Sequence, residues 1–303
     1  MKLFKTLVAV LACGLVGGSI WASDRADNMK VTVLGSGTPY PHGERSGPAV
    51  LVEAAGKRLL FDCGRGVVIR LGQAGVQAND VDAVFLTHLH SDHVVGLPDL
   101  LLTGWLLGRS QPLRLWAPAG GRKMAQHLVQ AFAFDRRIRG VTAKLPRKGA
   151  EFEVHEVAAG ELYDDGEIRV RAFVVDHGPV KPAFGYRIDY AGHTVVISGD
   201  TRFSENLITS AKHAECLIHV AWSIDAKDST PPSHRSLASA EDAARVFAAV
   251  KPKIAVVYHY DDDDGMTDAI KAGYNGQFII ARDLTEILIG QDVTWRILPI
   301  LEH

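Results

Sequence analysis

Cysteine is scarce, with three residues in 303. Cys13 lies in the apolar N-terminal stretch, which leaves Cys63 and Cys216 in two separate strand regions. Two such cysteines build no disulfide framework, and the expected reading is two small buried side chains rather than a bridge. An excess of charge of one sign is also lacking. The formal net charge is −2, so no general basic field exists to gather nucleic acid. Beyond the N-terminus no stretch approaches the ~20 apolar residues that a spanning helix needs. Short-period repeats, low-complexity linkers and breaks in composition are missing too, which favours one domain over residues 23–303.

The N-terminus is a case apart. Lys2 and Lys5 precede an apolar run from Leu7 to about Ile20, closed by Ile20-Trp21-Ala22. This is the pattern of a secretory signal peptide over residues 1–22, and it implies a periplasmic or secreted protein. A retained anchor is the alternative, and Val10-Leu11-Ala12-Cys13 faintly resembles a lipoprotein box. Removing the segment takes away two lysines and no acids, so the mature charge is −4.

What is present is a dense run of metal-binding side chains. Thr87-His88-Leu89-His90-Ser91-Asp92-His93 puts four potential ligands within six residues, directly after the apolar run Val81 to Leu86. Residues two apart on a strand share a side, so His88 and His90 can grip one ion together. Asp92 and His93 follow where the strand gives way to a loop, which suits a second ion. These donors are nitrogen and carboxylate with no thiolate. Zinc suits them, and manganese and iron accept them as well.

Around this run, strands are expected at 30–34, 50–54, 58–61, 81–86, 113–116, 151–157 and 168–175. Others follow at 184–190, 194–198, 217–220, 254–258, 286–289 and 293–298. Helices are expected at 67–74, around 100–107, at 122–134 and at 237–250. Two groups of strands, each followed by helices, make two packed sheets covered outside by helices. Further candidate ligands recur where strands end: His177, Asp200 and His259, with His219 near the end of its strand and His234 in the loop Pro232-Ser233-His234-Arg235. Rigid sheets carry loop-borne functional groups at such places.

Together these pieces resemble the metallo-β-lactamase superfamily, most closely its ribonuclease Z and arylsulfatase-like branch. The matching motifs are Gly35-Ser36-Gly37-Thr38-Pro39, Phe61-Asp62-Cys63-Gly64, the HxHxDH run, His177 with Phe184-Gly185-Tyr186-Arg187, Ser198-Gly199-Asp200-Thr201, His234 and His259. The resemblance implies an α/β fold, the αββα sandwich, with two mixed sheets and helices on the outer faces. It also implies two zinc ions per subunit. His88, His90 and His177 would hold one, Asp92, His93 and His259 the other, and Asp200 would bridge them. Such a bridging carboxylate points to phosphoesterase-, sulfatase- or lactonase-type members rather than true zinc β-lactamases.

Two ions about 3.5–4 Å apart can clamp a hydroxide and stabilise attacking and leaving oxygens. Asp92 would accept a proton from that nucleophile. His234, not needed as a ligand, would protonate the leaving group or steady its charge. Asp62 fits a carboxylate that orients a ligand histidine from behind, with ordinary Asp-Cys-Gly turn chemistry as the alternative. His219 is assigned a similar supporting position. Ribonuclease Z carries a His-Glu pair on the matching strand, where this chain reads His219-Val220, so the acidic partner of any relay with His234 is missing.

Three features argue against a tRNA substrate: the export segment, the short connection between residues 187 and 198, and the carboxylates Asp261-Asp262-Asp263-Asp264 just after His259. No nucleic-acid partner is expected, and no membrane contact beyond the export segment. A basic cluster of Arg136, Arg137, Arg139, Lys144, Arg147 and Lys148 reads as a solvated helix end or an anion-gathering rim. Trp105, Trp116 and Trp222 read as core, with a pocket for an aromatic leaving group as the alternative. The expected protein is an exported dinuclear zinc hydrolase of small anionic esters, a phosphodiester or an aryl sulfate. A lactonase or β-lactam hydrolase and a ribonuclease Z-like nuclease are the other enzyme readings. A metal-binding protein without catalysis would show a lost ligand, and all seven positions are filled. The apolar segment 97–107 is a candidate homodimer face, by analogy with relatives that pair.

Overall fold

The computed structural model describes residues 27–222 and 236–299. Six strands come first: β1 (Met29–Gly35), β2 (Ala49–Ala54), β3 (Lys57–Phe61), β4 (Ala83–Phe85), β5 (Leu113–Ala117) and β6 (Phe152–Glu156). Seven follow: β7 (Gly160–Asp164), β8 (Ile168–Val174), β9 (Phe184–Tyr190), β10 (His193–Ile197), β11 (Cys216–Val220), β12 (Ile254–Tyr258) and β13 (Phe278–Ile280). β14 (Thr285–Ile289) and β15 (Val293–Ile297) complete them. One sheet runs β15-β14-β1-β2-β3-β4-β5-β6 and the other β13-β12-β11-β10-β9-β8-β7. Both are mixed: β3 to β6 and β10 to β13 pair in parallel, and the remaining pairs are antiparallel.

Alternation along the strands decides the layers. Val50 and Val52 of β2 enter the core between the sheets with Phe61, Phe85, Tyr186 and Val256, whereas Ala49 and Leu51 join Leu60, Val84 and Leu115 on the outer side. The second sheet repeats this, with Ile218 and Val220 inward and Leu217 outward against Phe247 and Met266. Strands that feed two different cores are covered on both faces, which is the αββα arrangement. The central core is aromatic: Phe85 stacks on Phe61 and on Trp116 at centroid distances of 5.0 and 4.8 Å. Trp116 is therefore core and lines no leaving-group pocket. The Tyr186 hydroxyl crosses to the other sheet and donates to the Leu86 carbonyl at 2.6 Å.

On the outer faces lie α1 (Val67–Gln73), α2 (Ser91–Val94), α3 (Leu97–Leu106), α4 (Gly121–Ala131), α5 (Ala133–Thr142), α6 (Glu205–Ser210), α7 (Ala240–Val250) and α8 (Met266–Gly273). A capping box starts α7. Ser239 Oγ accepts from the Asp242 N–H at 3.1 Å, and the Asp242 carboxylate turns back to the Ser239 N–H. Each satisfies an amide that the first helical turn leaves open. The helix expected at 122–134 is two helices, because Phe132 leaves helical geometry between α4 and α5. Apolar spacing continues across Phe132 and no glycine or proline marks the break, so periodicity alone could not find it. β7, β13, α6 and α8 were also not expected. They are short, and of β7 only Tyr163 is buried, which leaves almost no alternation to read. Cys63 and Cys216 are both buried and unbridged.

Candidate metal centre

Seven side chains gather where strands of both sheets end. His88 and His90 follow β4, Asp92 and His93 sit on α2, His177 follows β8, Asp200 follows β10 and His259 follows β12. β8, β10 and β12 point the same way within their sheet, so their carboxyl ends share one edge. The strand expected through residue 86 stops at Phe85, so His88 and His90 stand on irregular chain rather than on alternate strand positions. They still converge, because the loop turns into α2 at His90.

Two groups form. Ligand atoms of His88, His90, His177 and Asp200 lie within 4.8 Å of one another, and so do those of Asp92, His93 and His259. Asp200 belongs to both in space. Its Oδ2 is 3.8 Å from His88 Nε2 and 3.7 Å from His177 Nε2, while its Oδ1 is 3.2 Å from His259 Nε2 and 3.5 Å from His93 Nε2.

The imidazoles are oriented from behind. His93 Nδ1 lies 2.8 Å from Asp62 Oδ2, and His177 Nδ1 lies 2.8 Å from the Ser236 carbonyl. His88 Nδ1 lies 3.0 Å from Thr87 Oγ1, whose hydroxyl donates to Asp62. Each bond places the ring proton on Nδ1 and leaves the Nε2 lone pair facing the cluster. Asp62 itself adopts a left-handed backbone with φ 59° and also accepts the Thr87 N–H at 2.8 Å. It orients a histidine; it does not merely close a turn.

The donor set fits divalent metal. His90 Nδ1 and His177 Nε2 are 3.3 Å apart, as are His93 Nε2 and His259 Nε2. Two nitrogens bound at roughly 2.0–2.1 Å to one tetrahedral zinc ion stand about 3.3 Å apart. His88 Nε2 and Asp200 Oδ1 are buried and lack a hydrogen-bond partner among the described residues. Such orphaned groups are costly unless an ion meets them. Electrostatics agree. Burial and then the neighbouring His93 hold the His88 imidazole well below its ordinary pKa. For Asp200, burial would raise the pKa, but the His259 and His93 imidazoles hold it well below the carboxylate range.

Tight backbone approaches hold these loops. At Gly199, with φ 60°, a Cβ would stand 2.6 Å from the Phe184 carbonyl oxygen and 2.9 Å from Thr87 Cβ. At Gly64 a Cβ would meet the Gly47 carbonyl carbon at 2.4 Å and the Asp92 carbonyl oxygen at 2.7 Å. His259, with φ 54°, holds a left-handed backbone that a non-glycine residue rarely adopts, a common feature of functional sites.

Not every expected residue joins the cluster. His219 lies on the outer face of β11 against Phe247, at a ring distance of 5.9 Å, and no described hydrogen bond or ring contact links it to the seven. Strand alternation decides this: Ile218 and Val220 face the other sheet, so His219 faces the helices. His234 lies outside the described residues. Of the two expectations for Trp222, core or pocket wall, its position fits the second: its ring stands edge-on to His259 at 5.9 Å and beside the exposed Tyr40 at 6.3 Å. Only the fold reveals that position. Trp105 is buried on α3 and donates to the Pro146 carbonyl at 2.8 Å.

A family model described as "Anti-Pycsar protein Apyc1" matches residues 29–282. The chain belongs to this family. Ribonuclease Z of Mycobacterium sp. (strain KMS) is 34% identical over 275 residues, covering 88% of each chain. Ribonuclease Z of Mycolicibacterium gilvum is 35% identical over 240 residues, covering 77% of this chain and 84% of that one. Among solved structures, the metallo-β-lactamase-fold protein YhfI of Bacillus subtilis superposes with a TM-score of 0.69 at 22% identity, covering 85% of this chain and 98% of that one. The short form of human tRNase Z gives 0.68 at 25% identity, with coverages of 89% and 100%. This Apyc1-family chain is thus a metal-dependent hydrolase of the metallo-β-lactamase fold.

Proposed function

We propose that the protein is an exported dinuclear zinc hydrolase that cleaves small anionic phosphodiesters. The observation that carries this reading is Asp200, one carboxylate with an oxygen toward each histidine group. When bound, two zinc ions supply Lewis acidity and lower the pKa of water toward roughly 7. His88, His90 and His177 would hold one ion and His93, His259 and Asp92 the other. The Asp92 carboxylate lies 3.5 Å from His93 Nε2 and 3.6 Å from His259 Nε2, and in this reading it would also accept a proton from the nucleophile. His234 stands two positions before Ser236, whose carbonyl fixes His177, and is proposed to protonate the leaving oxygen.

Two observations favour a small substrate over RNA. The β9–β10 connection is a two-residue hairpin, Ala191-Gly192, both with left-handed φ, and it offers no protruding segment to grip a polynucleotide. The carboxylates Asp261 to Asp264 are exposed just beyond His259 and would repel a polyanion. The ribonuclease names of the relatives favour phosphorus over sulfur as the centre attacked. Zinc-loaded protein should be tested on a bis-aryl phosphodiester, an aryl sulfate, a lactone, a cephalosporin and a structured RNA, with Asp200→Ala as control. Preferred turnover of the phosphodiester, lost in the variant, supports the reading. Dominant cleavage of any of the others overturns it.

A further inference from the structure

Helix α5 is mounted inside out. Phe134, Ile138 and Val141 fall at i, i+4 and i+7, a single stripe of one helix face. That stripe faces water: Phe134 is 71% and Val141 76% exposed, and no residue of α5 is buried. The opposite side carries Arg136, whose guanidinium reaches the Val129 carbonyl at 3.4 Å and Glu151 at 3.5 Å. A surface helix ordinarily turns its apolar stripe inward, so an outward stripe of large side chains marks a contact face.

The charge around the stripe indicates what covers it. Residues 132–148 hold six basic side chains and one acid, a net +5 against −7 for the rest of the chain, which together make the formal −2. Arg137 lies over the Phe134 ring at 5.7 Å. A pocket of ≈ 470 Å³ along α5 is lined by Arg136, Arg137 and Arg147 together with Trp105 and Val141. Cations flanking an exposed apolar helix face are the chemistry of an interfacial helix on anionic lipid.

We propose that α5 and the chain through Lys148 dock on an anionic lipid surface. Phe134, Ile138 and Val141 enter the boundary between headgroups and acyl chains, while Arg137, Lys144, Arg147 and Lys148 meet the phosphates. A second copy of this chain fits the face poorly, since a two-fold contact would set +5 against +5. Nucleic acid would use the cations but leave the apolar stripe in water. This departs from the expectation, read from the sequence alone, of no membrane contact beyond the export segment.

The test is sedimentation of the chain as cells produce it. One set of vesicles is phosphatidylcholine alone, and the other is phosphatidylcholine with phosphatidylglycerol in equal parts. Two otherwise identical double variants, Phe134→Ser with Val141→Ser and Arg137→Glu with Arg147→Glu, cancel any contribution from the N-terminal segment. Binding to the anionic vesicles that weakens with salt, and at least about tenfold in each variant, is the expected result. Retained hydrolysis of a soluble ester shows that the variants are folded. Equal binding to both vesicles, or unchanged binding in the variants, overturns the proposal. Variants that instead change the oligomeric state, or lose affinity for a single-stranded RNA rather than for vesicles, overturn it in favour of those occupants.

Discussion

Asp62 Oδ2 lies 2.8 Å from His93 Nδ1, and the same carboxylate holds the Thr87 N–H and hydroxyl. One buried acid, on a left-handed backbone at the end of β3, thereby sets the direction of His93 and, through Thr87, of His88. Asp62→Asn keeps the shape and tolerates the backbone, but it can present an amide donor to His93. We expect zinc affinity to fall roughly 10–100-fold with cooperative unfolding retained, measured by competition with a chromogenic chelator. Unchanged affinity would remove Asp62 from the centre.

Asp200→Ala deletes the group shared by both histidine sets. The variant should bind fewer than two zinc ions per chain by elemental analysis, with turnover at background. In the wild type, a chelator should lower the melting temperature. Zinc at about a hundredfold its Kd stabilises by about 2.7 kcal/mol per site. A melting temperature indifferent to chelator would contradict a resident metal.

Gly199 leaves no room for a methyl group between Phe184 and Thr87. Gly199→Ala must strain a left-handed position as well as displace a neighbour, so a loss of about 1–3 kcal/mol is expected. Because Asp200 follows directly, metal content should fall with stability. Urea unfolding with parallel metal analysis distinguishes this outcome from a harmless substitution.

His219 is fully buried, both ring nitrogens lack partners among the described residues, and burial lowers its pKa to about 4. Its ordinary value is 6.5. The fold therefore favours the neutral ring. That stability is complete above pH ~6.5 and is lost as the pH falls through ~4, by up to about 3 kcal/mol. His219→Leu should flatten this slope and raise stability at neutral pH by roughly 1 kcal/mol. The difference in urea midpoint between variant and wild type at pH 7 and pH 5 is the measurement, and parallel midpoints would refute the assignment.

The proposal that residues 1–22 are a cleaved export signal predicts that protein recovered from the periplasm begins at or close to Ser23 by intact mass. A mass retaining residues 1–22 would instead mean a retained anchor.

The sequence by itself determined the metal chemistry and the layer architecture. The HxHxDH run and the donors at the ends of apolar β-branched runs supplied the candidates, His219 and His234 among them, and the family resemblance implied which seven would hold metal. The order of elements, two groups of strands each followed by helices, likewise implied two packed sheets covered outside by helices. Tertiary structure decided the rest. It brought Trp222 beside His259, two residues 37 positions apart in the chain. It turned His219 away from the metals because alternation on β11 gives that position the helical side. It broke one expected helix at Phe132 and left α5 with its apolar stripe outward. Periodicity records that a stripe exists; only the packing of the whole chain determines which way the stripe faces.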